Sequence, residues 1–268
     1  MNDISVLLPV ATTVDPDELY RAHQSIVNQT TPPTEVVLVT NQSLPDRIEQ
    51  ALTDLVKTSA GSRHEHVPDA EGLGGVLQAG LKRCSEPIVA RMDADDIADT
   101  ERFAKQQSVL MNTDADIVGS HLAEFRDDPS QPERTRKVPI THEEIADWMS
   151  WRCPLNHPTT MFDREAVLNA GGYRHFPMME DWDLWARCLA AGLRFRNVDQ
   201  TLVRAQIDEL TDRRGGFDYV QAELRMARLL WELDISTRRD AISHLCLRTP
   251  PRLLPGKARQ AVYRLFAR

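Results

Sequence analysis

The sequence predicts an α/β protein built on a mostly parallel sheet, and three observations carry that expectation. Strand-like and helix-like stretches alternate through the first hundred residues. Cap and turn residues punctuate them at short intervals. Polar and acidic residues collect just past the apolar runs, where open parallel sheets bind their ligands.

Residues 4–10 are the first apolar run. Asp15-Pro16-Asp17-Glu18 then supplies an N-cap, a proline suited to the first helical position and an acidic first turn, opening a helix to about residue 28. A strand over 35–40, a helix over 45–57, a weaker strand over 63–67, a helix over 72–83, a strand over 87–91 and a helix over 100–111 follow. Four strand ends carry Pro9-Val10-Ala11, Thr40-Asn41-Gln42, Asp69-Ala70-Glu71 and Asp93-Ala94-Asp95, so polar groups converge on one rim. Gly72-Leu73-Gly74-Gly75 is neither a dinucleotide fingerprint nor a phosphate-cradling loop ending in Lys-Ser/Thr, and is expected to let a helix begin close to a ligand.

Asp93-Ala94-Asp95-Asp96 is the candidate metal site. In extended backbone, side chains at i and i+2 point the same way, which turns Asp93 and Asp95 toward one ligand and Asp96 away. Mg²⁺ or Mn²⁺ takes hard oxygen ligands, commonly one or two carboxylates plus substrate phosphates. With no glycine loop to neutralise phosphate, the acidic pair and the missing loop support each other. The competing reading is that Asp95 or Asp96 caps the helix that follows.

The alternation breaks down after residue 113. Residues 117–125 read as a strand and 127–136 as a polar, proline-containing surface loop. Thr141-His142-Glu143-Glu144 is a capping box opening a helix through residue 149. Trp148, Trp151, Pro154 and Pro158 surround Asn156-His157, a segment too rich in proline to be helical that is expected to wall an acceptor site; for His157, hydrogen-bonded scaffold and ligand are both open. A short helix over 163–169 ends at Gly171-Gly172. Glu180-Asp181 opens the next helix, in which Trp182 and Trp185 would fix the acids against the core, with Gly192 as its stop. A strand over 193–198 follows. Arg204 and the run Arg213-Arg214-Gly215-Gly216 suit a diphosphate or are simply solvated.

Residues 217–233 and 239–247 look helical, and Pro250-Pro251 separates them from a basic tail. Residues 248–268 hold six basic residues and no acid, interspersed with apolar ones. That tail either lies on an anionic membrane or packs back on the acidic body. Overall the 268 residues carry a net charge of -8, which argues against a nucleic-acid partner, and their 41% hydrophobic content is enough for a sizeable core. No apolar stretch approaches the ~18 residues that span a bilayer, and no secretory signal is recognisable, so the expected location is cytoplasmic, with peripheral attachment to the inner face of the membrane as an option. Cys84, Cys153, Cys188 and Cys246 are widely spaced, which disfavours zinc or a disulfide framework.

Taken together, Ser5-Val6-Leu7-Leu8-Pro9-Val10, Ser25-Ile26-Val27-Asn28-Gln29-Thr30, Glu35-Val36-Val37-Leu38-Val39, Arg91-Met92-Asp93-Ala94-Asp95-Asp96, Asn156-His157-Pro158-Thr159 and Glu180-Asp181-Trp182-Asp183-Leu184-Trp185 resemble glycosyltransferase family 2, in order, from about residue 4 to 216. The resemblance implies a GT-A fold: a Rossmann-like, mostly parallel nucleotide-binding half (1–112), a smaller acceptor-binding half with the catalytic base (113–216), and C-terminal helices with a basic tail (217–268). It implies an inverting transfer from a nucleotide-diphosphate sugar to a glycan or lipid-linked acceptor, in surface polysaccharide or glycoprotein glycan synthesis, with a divalent metal. Carried over onto this chain, Pro9 and Val10 border the base, with Ala11 beside them among the donor contacts, Asp93 the ribose or metal, Asp95 the metal, and Asp181 is the catalytic base beside Glu180. Asn41, Asp69, Arg213 and Arg214 complete the expected donor contacts.

The chain departs from the family at Thr40-Asn41-Gln42-Ser43, where an Asp-Asp-Gly-Ser turn is usual, so the uracil-reading carboxylate is replaced by Asn41. Gln78 stands where an Asn is common. The rival readings are a metal-dependent nucleotidyltransferase, which needs no base far downstream, and an inactive sugar-nucleotide-binding module, expected if Asp95 or Asp181 were missing. A phosphatase is disfavoured because its acidic motif would follow the first strand.

Overall fold

The computed structural model describes residues 3–207 and 216–253. The first part runs β1 (Ile4–Pro9), α1 (Pro16–Val27), β2 (Glu35–Thr40), α2 (Asp46–Thr58), β3 (Ser62–His66), α3 (Gly72–Arg83) and β4 (Ile88–Arg91). Then come β5 (Ile97–Ala98), α4 (Arg102–Asn112), β6 (Ile117–Phe125), β7 (Arg134–Arg136), α5 (His142–Met149), β8 (Met161–Asp163) and α6 (Arg164–Asn169). The chain continues through α7 (Glu180–Ala190) and β9 (Phe195–Gln206) to α8 (Phe217–Glu232) and α9 (Arg238–Leu253).

One sheet in the order β3-β2-β1-β4-β8-β6-β9-β5, with β7 on β6, joins the two halves. β3, β2, β1 and β4 are mutually parallel, and β8 enters antiparallel to both β4 and β6. Side-chain alternation sorts β1 and β2 onto two covered faces. Ile4, Val6, Leu8, Val36 and Leu38 share a core with Leu19 and Ile26 of α1 and Ile48 and Leu52 of α2; Leu7, Val37 and Val39 share another with Leu77 and Leu81 of α3. Burial on both faces is why these strands are unbroken apolar runs.

The helix caps follow the sequence. Asp15 and Glu18 form a capping box behind Pro16, and Thr141 and Glu144 form another. Trp185 of α7 is fully buried, with Phe162, Tyr173 and Phe195 meeting its ring edge-on at centroid distances of 6.1, 6.5 and 6.4 Å. Burial of such a side chain contributes about 2–3 kcal/mol, and it anchors the helix that begins with Glu180 and Asp181.

Several expectations are corrected. Residues 127–136 are not all loop, because Arg134–Arg136 forms β7 on the edge of β6, held by ladder bonds and by ion pairs of Arg134 and Arg136 with the buried Glu124. The proline-rich segment contains one 3-10 turn, His157–Thr159. The strand expected over 193–198 extends to Gln206 along β6. α9 runs through Pro250-Pro251 instead of stopping at residue 247, and its last turn is held to α8 by Arg248 and Arg252, which both reach Glu223. No helix among the described residues is long and apolar enough to cross a membrane.

Candidate active site

Strand register builds the rim. Val10 N–H donates to the Val39 carbonyl at 2.9 Å and Met92 N–H to the Leu7 carbonyl at 3.2 Å, so the carboxyl ends of β1, β2 and β4 lie side by side. A cavity of about 790 Å³ opens over them, with Pro9, Val10, Ala11, Asn41, Gly72, Asp93 and Asp95 in its wall. The Asn41 amide donates from Nδ2 to the Ala70 carbonyl at 2.9 Å, which turns its oxygen into the acceptor of that side chain. Asp69 does not join this wall. The turn closed by Ala70 N–H on the Val67 carbonyl at 3.0 Å leaves Asp69 exposed in a neighbouring cleft with Gln78 and His175. Arg213 and Arg214 lie outside the described residues.

The glycine run is only partly a ligand feature. Gly72, at φ 60°, lines the large cavity, but a Cβ on Gly74 would sit 2.1 Å from the Arg174 carbonyl oxygen. The close approach that demands Gly74 is therefore to the loop preceding α7, which sets α3 against the turn of Glu180.

A second cavity of about 420 Å³ adjoins the first, and both are walled by Asp93, Asp95, Leu73, Gln206 and Ile207. The second adds Asp96, Glu180 and Asp181 together with Arg91, Arg136, His157 and Pro158. Two acidic motifs far apart in sequence thus meet at one place. Of the aromatic segment, His157 and Pro158 reach this wall, whereas Trp148 stacks under the Arg152 guanidinium. His157 accepts or donates a bond with the Tyr173 hydroxyl at 2.9 Å, and burial lowers its pKa well below the ordinary range, so it serves as neutral scaffold.

The acidic stretch is a turn, closed by Asp96 N–H on the Asp93 carbonyl at 3.4 Å, because β4 ends at Arg91. Consequently Asp96 does not point away: it lines the same cavity, 3% exposed, with Oδ2 lacking any hydrogen-bond partner. Neither Asp95 nor Asp96 caps α4, where Asp99 accepts from the Glu101 N–H at 3.1 Å. Burial, and next the Asp93 charge, push Asp95 up to about 6, and the same two causes with Asp95 raise Asp96 well above the usual carboxylate range. Burial and the neighbouring Asp181 push Glu180 up to about 7.

Among the described residues no group of three or more His, Cys, Asp or Glu side chains is arranged to hold a metal on protein ligands alone. The donor chemistry nevertheless fits a hard divalent cation completed by phosphate oxygens: Asp95 is a carboxylate short of positive charge, and the buried Asp96 oxygen is unpartnered. Asp93 is less available, since Arg91 donates to both its oxygens.

Asp181 accepts from the Trp182 N–H at 2.8 Å on Oδ1, and the Cys153 thiol lies 3.6 Å from Oδ2. Behind it, Asp183 is fully buried and accepts from Arg174 and Arg187, the latter also donating to the Ala170 and Gly172 carbonyls. Arg102, pulled down to about 9 by burial against the opposing charge of Asp96, donates to the Arg91 and Thr160 carbonyls. Sequence reasoning does not single out Arg91, Arg102, Cys153 or Asp183. Only Arg91 leaves a signal, its i, i+2 spacing from Asp93.

Comparison with known proteins agrees with this geometry. Residues 5–171 match the model of glycosyl transferase family 2. An uncharacterized glycosyltransferase of Haemophilus influenzae is 32% identical over 98% of both chains. The Escherichia coli UDP-Gal:alpha-D-GlcNAc-diphosphoundecaprenol beta-1,3-galactosyltransferase is 29% identical over 98% of this chain and 96% of its own. Among solved structures, the mannosyltransferase PcManGT of Pyrobaculum calidifontis, in complex with GDP-Man and Mn²⁺, superposes with a TM-score of 0.63 at 16% identity, covering 98% of this chain and 75% of that one, which establishes the shared GT-A fold. With two acidic motifs at adjoining cavities on that fold, and with more than half its length matching the family, the chain belongs to glycosyl transferase family 2 and is a glycosyltransferase.

Proposed function

We propose that the chain performs an inverting, metal-assisted transfer of one sugar from a nucleotide-diphosphate sugar to a hydroxyl of a glycan or lipid-linked acceptor, in surface polysaccharide or glycoprotein glycan synthesis. The observation that carries this reading is the meeting of the Asp93-Asp95 turn and the Glu180-Asp181 turn where the two cavities join. The donor lies in the larger cavity, whose wall comes mostly from residues 1–112; the acceptor enters the smaller one, built largely by residues 113–216. Behind the smaller one, α8 packs on α7.

Asp95 is the principal metal contact and Asp93, already clasped by Arg91, a secondary one or a ribose contact. A bound Mg²⁺ or Mn²⁺ would supply charge to stabilise the departing diphosphate. Asp181 takes the proton of the acceptor hydroxyl as its oxygen bonds to the anomeric carbon; the bond from that carbon to phosphate oxygen breaks on the opposite face, and its electron pair leaves with the nucleoside diphosphate. Glu180, partly protonated near neutrality, orients the acceptor. With its amide held by Ala70, Asn41 keeps an acceptor oxygen for a ring N–H of the base, such as that of uracil, in place of the lost carboxylate. Arg213 and Arg214 remain proposed diphosphate contacts. Asp69 drops out of the proposed set.

The E. coli relative's acceptor is lipid-linked by name, and a similar acceptor would call for work at the cytoplasmic membrane face. Arg248 and Arg252 are engaged by Glu223, so the proposed membrane contact falls on Lys257, Arg259, Arg264 and Arg268. Thermal stabilisation against UDP-galactose, GDP-mannose and nucleoside triphosphates, with and without Mn²⁺, tests the reading. Stabilisation by a sugar nucleotide with Mn²⁺ is expected. Stabilisation by nucleoside triphosphates alone would replace the proposal with nucleotidyl transfer.

A further inference from the structure

The C-terminal helix reaches the turn that carries the proposed base. Glu223 of α8 is fully buried; its Oε1 accepts from Arg252 Nη2 at 3.0 Å and lies 3.4 Å from Arg248 Nε. A carboxylate at that depth needs cationic partners, and α9 provides two. Arg248 extends further. Its guanidinium lies 5.4 Å over the Trp182 ring, and its Nη1 donates to the Trp151 carbonyl at 2.6 Å.

Both of those contacts lead to Asp181. Trp182 is the next residue, holding Asp181 Oδ1 through its own N–H at 2.8 Å, while its indole N–H donates to the Met149 carbonyl at 3.0 Å. Trp151 lies two residues before Cys153, whose thiol faces Asp181 Oδ2 at 3.6 Å. One guanidinium therefore touches the residue that holds Oδ1 and, two residues upstream of Cys153, the segment that carries the thiol facing Oδ2. We propose that Arg248 is a positioning residue for sugar transfer, fixing the Asp181 carboxylate through Trp182 and Trp151, and that α9 is thereby part of the catalytic apparatus. The inference rests on Asp181 being the base. A planar guanidinium stacks on an indole while bonding in its plane to a carbonyl and a carboxylate, which an ammonium cannot reproduce.

The test uses the full chain with Mn²⁺, UDP-galactose as donor probe and an N-acetylglucosaminyl diphosphate lipid as acceptor probe, in four forms: wild type, Arg248→Lys, Arg252→Lys and Asp181→Asn. Arg248→Lys keeps a positive charge beside Glu223, so the fold is retained. Its single-turnover rate is expected to fall about tenfold, since small misplacement of a catalytic group costs up to ~10²-fold, while UDP affinity stays within about twofold of wild type. Arg252→Lys, one turn along, is expected to lower the melting temperature comparably and leave the rate within about twofold. Equal rate losses in both variants, in step with melting temperature, would mean that α9 only stabilises the fold and would overturn the proposal. Arg248→Lys at full rate beside an inactive Asp181→Asn would overturn Arg248 alone, whereas Asp181→Asn at full rate removes the base and the role of Arg248 together. A crystal structure of Arg248→Lys supplies a readout independent of substrate: a shifted Asp181 carboxylate is expected, and an unmoved one overturns the proposal.

Discussion

Arg91 donates from its two terminal nitrogens to the two carboxylate oxygens of Asp93, at 2.9 and 2.5 Å, from a side chain only 2% exposed. The clasp orients Asp93 and partly neutralises it, so the uncompensated charge at this rim sits on Asp95. Asp95→Ala is accordingly expected to abolish Mn²⁺-dependent stabilisation by sugar nucleotides, whereas Asp93→Asn weakens it by about tenfold or less. Asp96→Asn, which keeps a side-chain oxygen at the same buried place, should weaken it less than Asp95→Ala does. Undiminished Mn²⁺ dependence in Asp95→Ala would sink the metal assignment; calorimetric titration of the three variants measures it.

The raised carboxylates set a pH dependence for the metal-free protein. Glu180 is pushed up to about 7 from 4.5 and Asp95 to about 6 from 3.8, so between roughly pH 4 and 7 the folded chain holds protons that the unfolded chain has released. Their contribution is complete below the unfolded values and is lost as pH rises through the folded ones. In EDTA, stability should therefore fall on the order of 2 kcal/mol across that window relative to Glu180→Gln, since a tenfold difference in proton affinity between folded and unfolded chain is worth about 1.4 kcal/mol. Urea unfolding at pH 5 and pH 7.5 compares the two proteins, and parallel pH profiles would contradict the burial of Glu180. Mn²⁺, which needs ionised Asp95, should bind progressively less well below about pH 6.

Asp183 tests the scaffold apart from the chemistry. Fully buried, it accepts from Arg174 at 2.5 Å and Arg187 at 2.8 Å, whose side chains are 48% and 12% exposed. Asp183→Asn would leave Arg187 without its counter-charge, while Arg174 can turn to water, so the loss should sit near the lower end for broken buried pairs, about 3 kcal/mol. Denaturant unfolding checks this. A loss under about 1 kcal/mol would show that the Arg187 bonds to the Ala170 and Gly172 carbonyls suffice to hold the loop.

What was legible in the sequence follows from where local pattern and tertiary context agree. β6 is buried at every one of its nine residues and reads as a strand from Ile117 to Phe125, its apolar ends carrying the polar Ser120, His121 and Glu124 between them. β7, Arg134–Arg136, has no apolar face and exists only because β6 and Glu124 are beside it. Past the Pro250-Pro251 signal the helix is tied down by Arg248 and Arg252 on Glu223, partners on two different helices that no periodicity reveals. In the site, each acidic motif is readable by itself, but the Arg91 clasp, the Asp183 fork and the placement of Asp96 inside the cavity depend on backbone turning after Arg91 and on packing between distant elements.

The Glu180-Asp181 pair carries the last prediction. Inverting transfer needs one carboxylate near the acceptor hydroxyl, opposite the departing nucleotide, and the two candidates differ in environment. Glu180 is pushed up to about 7 and is partly protonated at working pH, which suits it to donate a hydrogen bond. Asp181 has Oδ1 committed to the Trp182 N–H and Oδ2 facing the weak thiol donor of Cys153, leaving a lone pair on Oδ2 for a proton. Asp181→Asn is nearly isosteric but presents no carboxylate, so single-turnover transfer should fall ~10²–10⁴-fold while UDP binding persists. Glu180→Gln keeps a donor and should retain more activity. If Asp181 merely stabilised the first turn of α7, whose N-cap Met179 offers no side-chain bond, its replacement would cost ~1 kcal/mol or less with near-normal turnover. Melting temperature and single-turnover rate on both variants separate the two: a stable Asp181→Asn protein that binds UDP and transfers at the wild-type rate excludes Asp181 as the base and turns the role to its neighbour Glu180, which is ionised above pH 7.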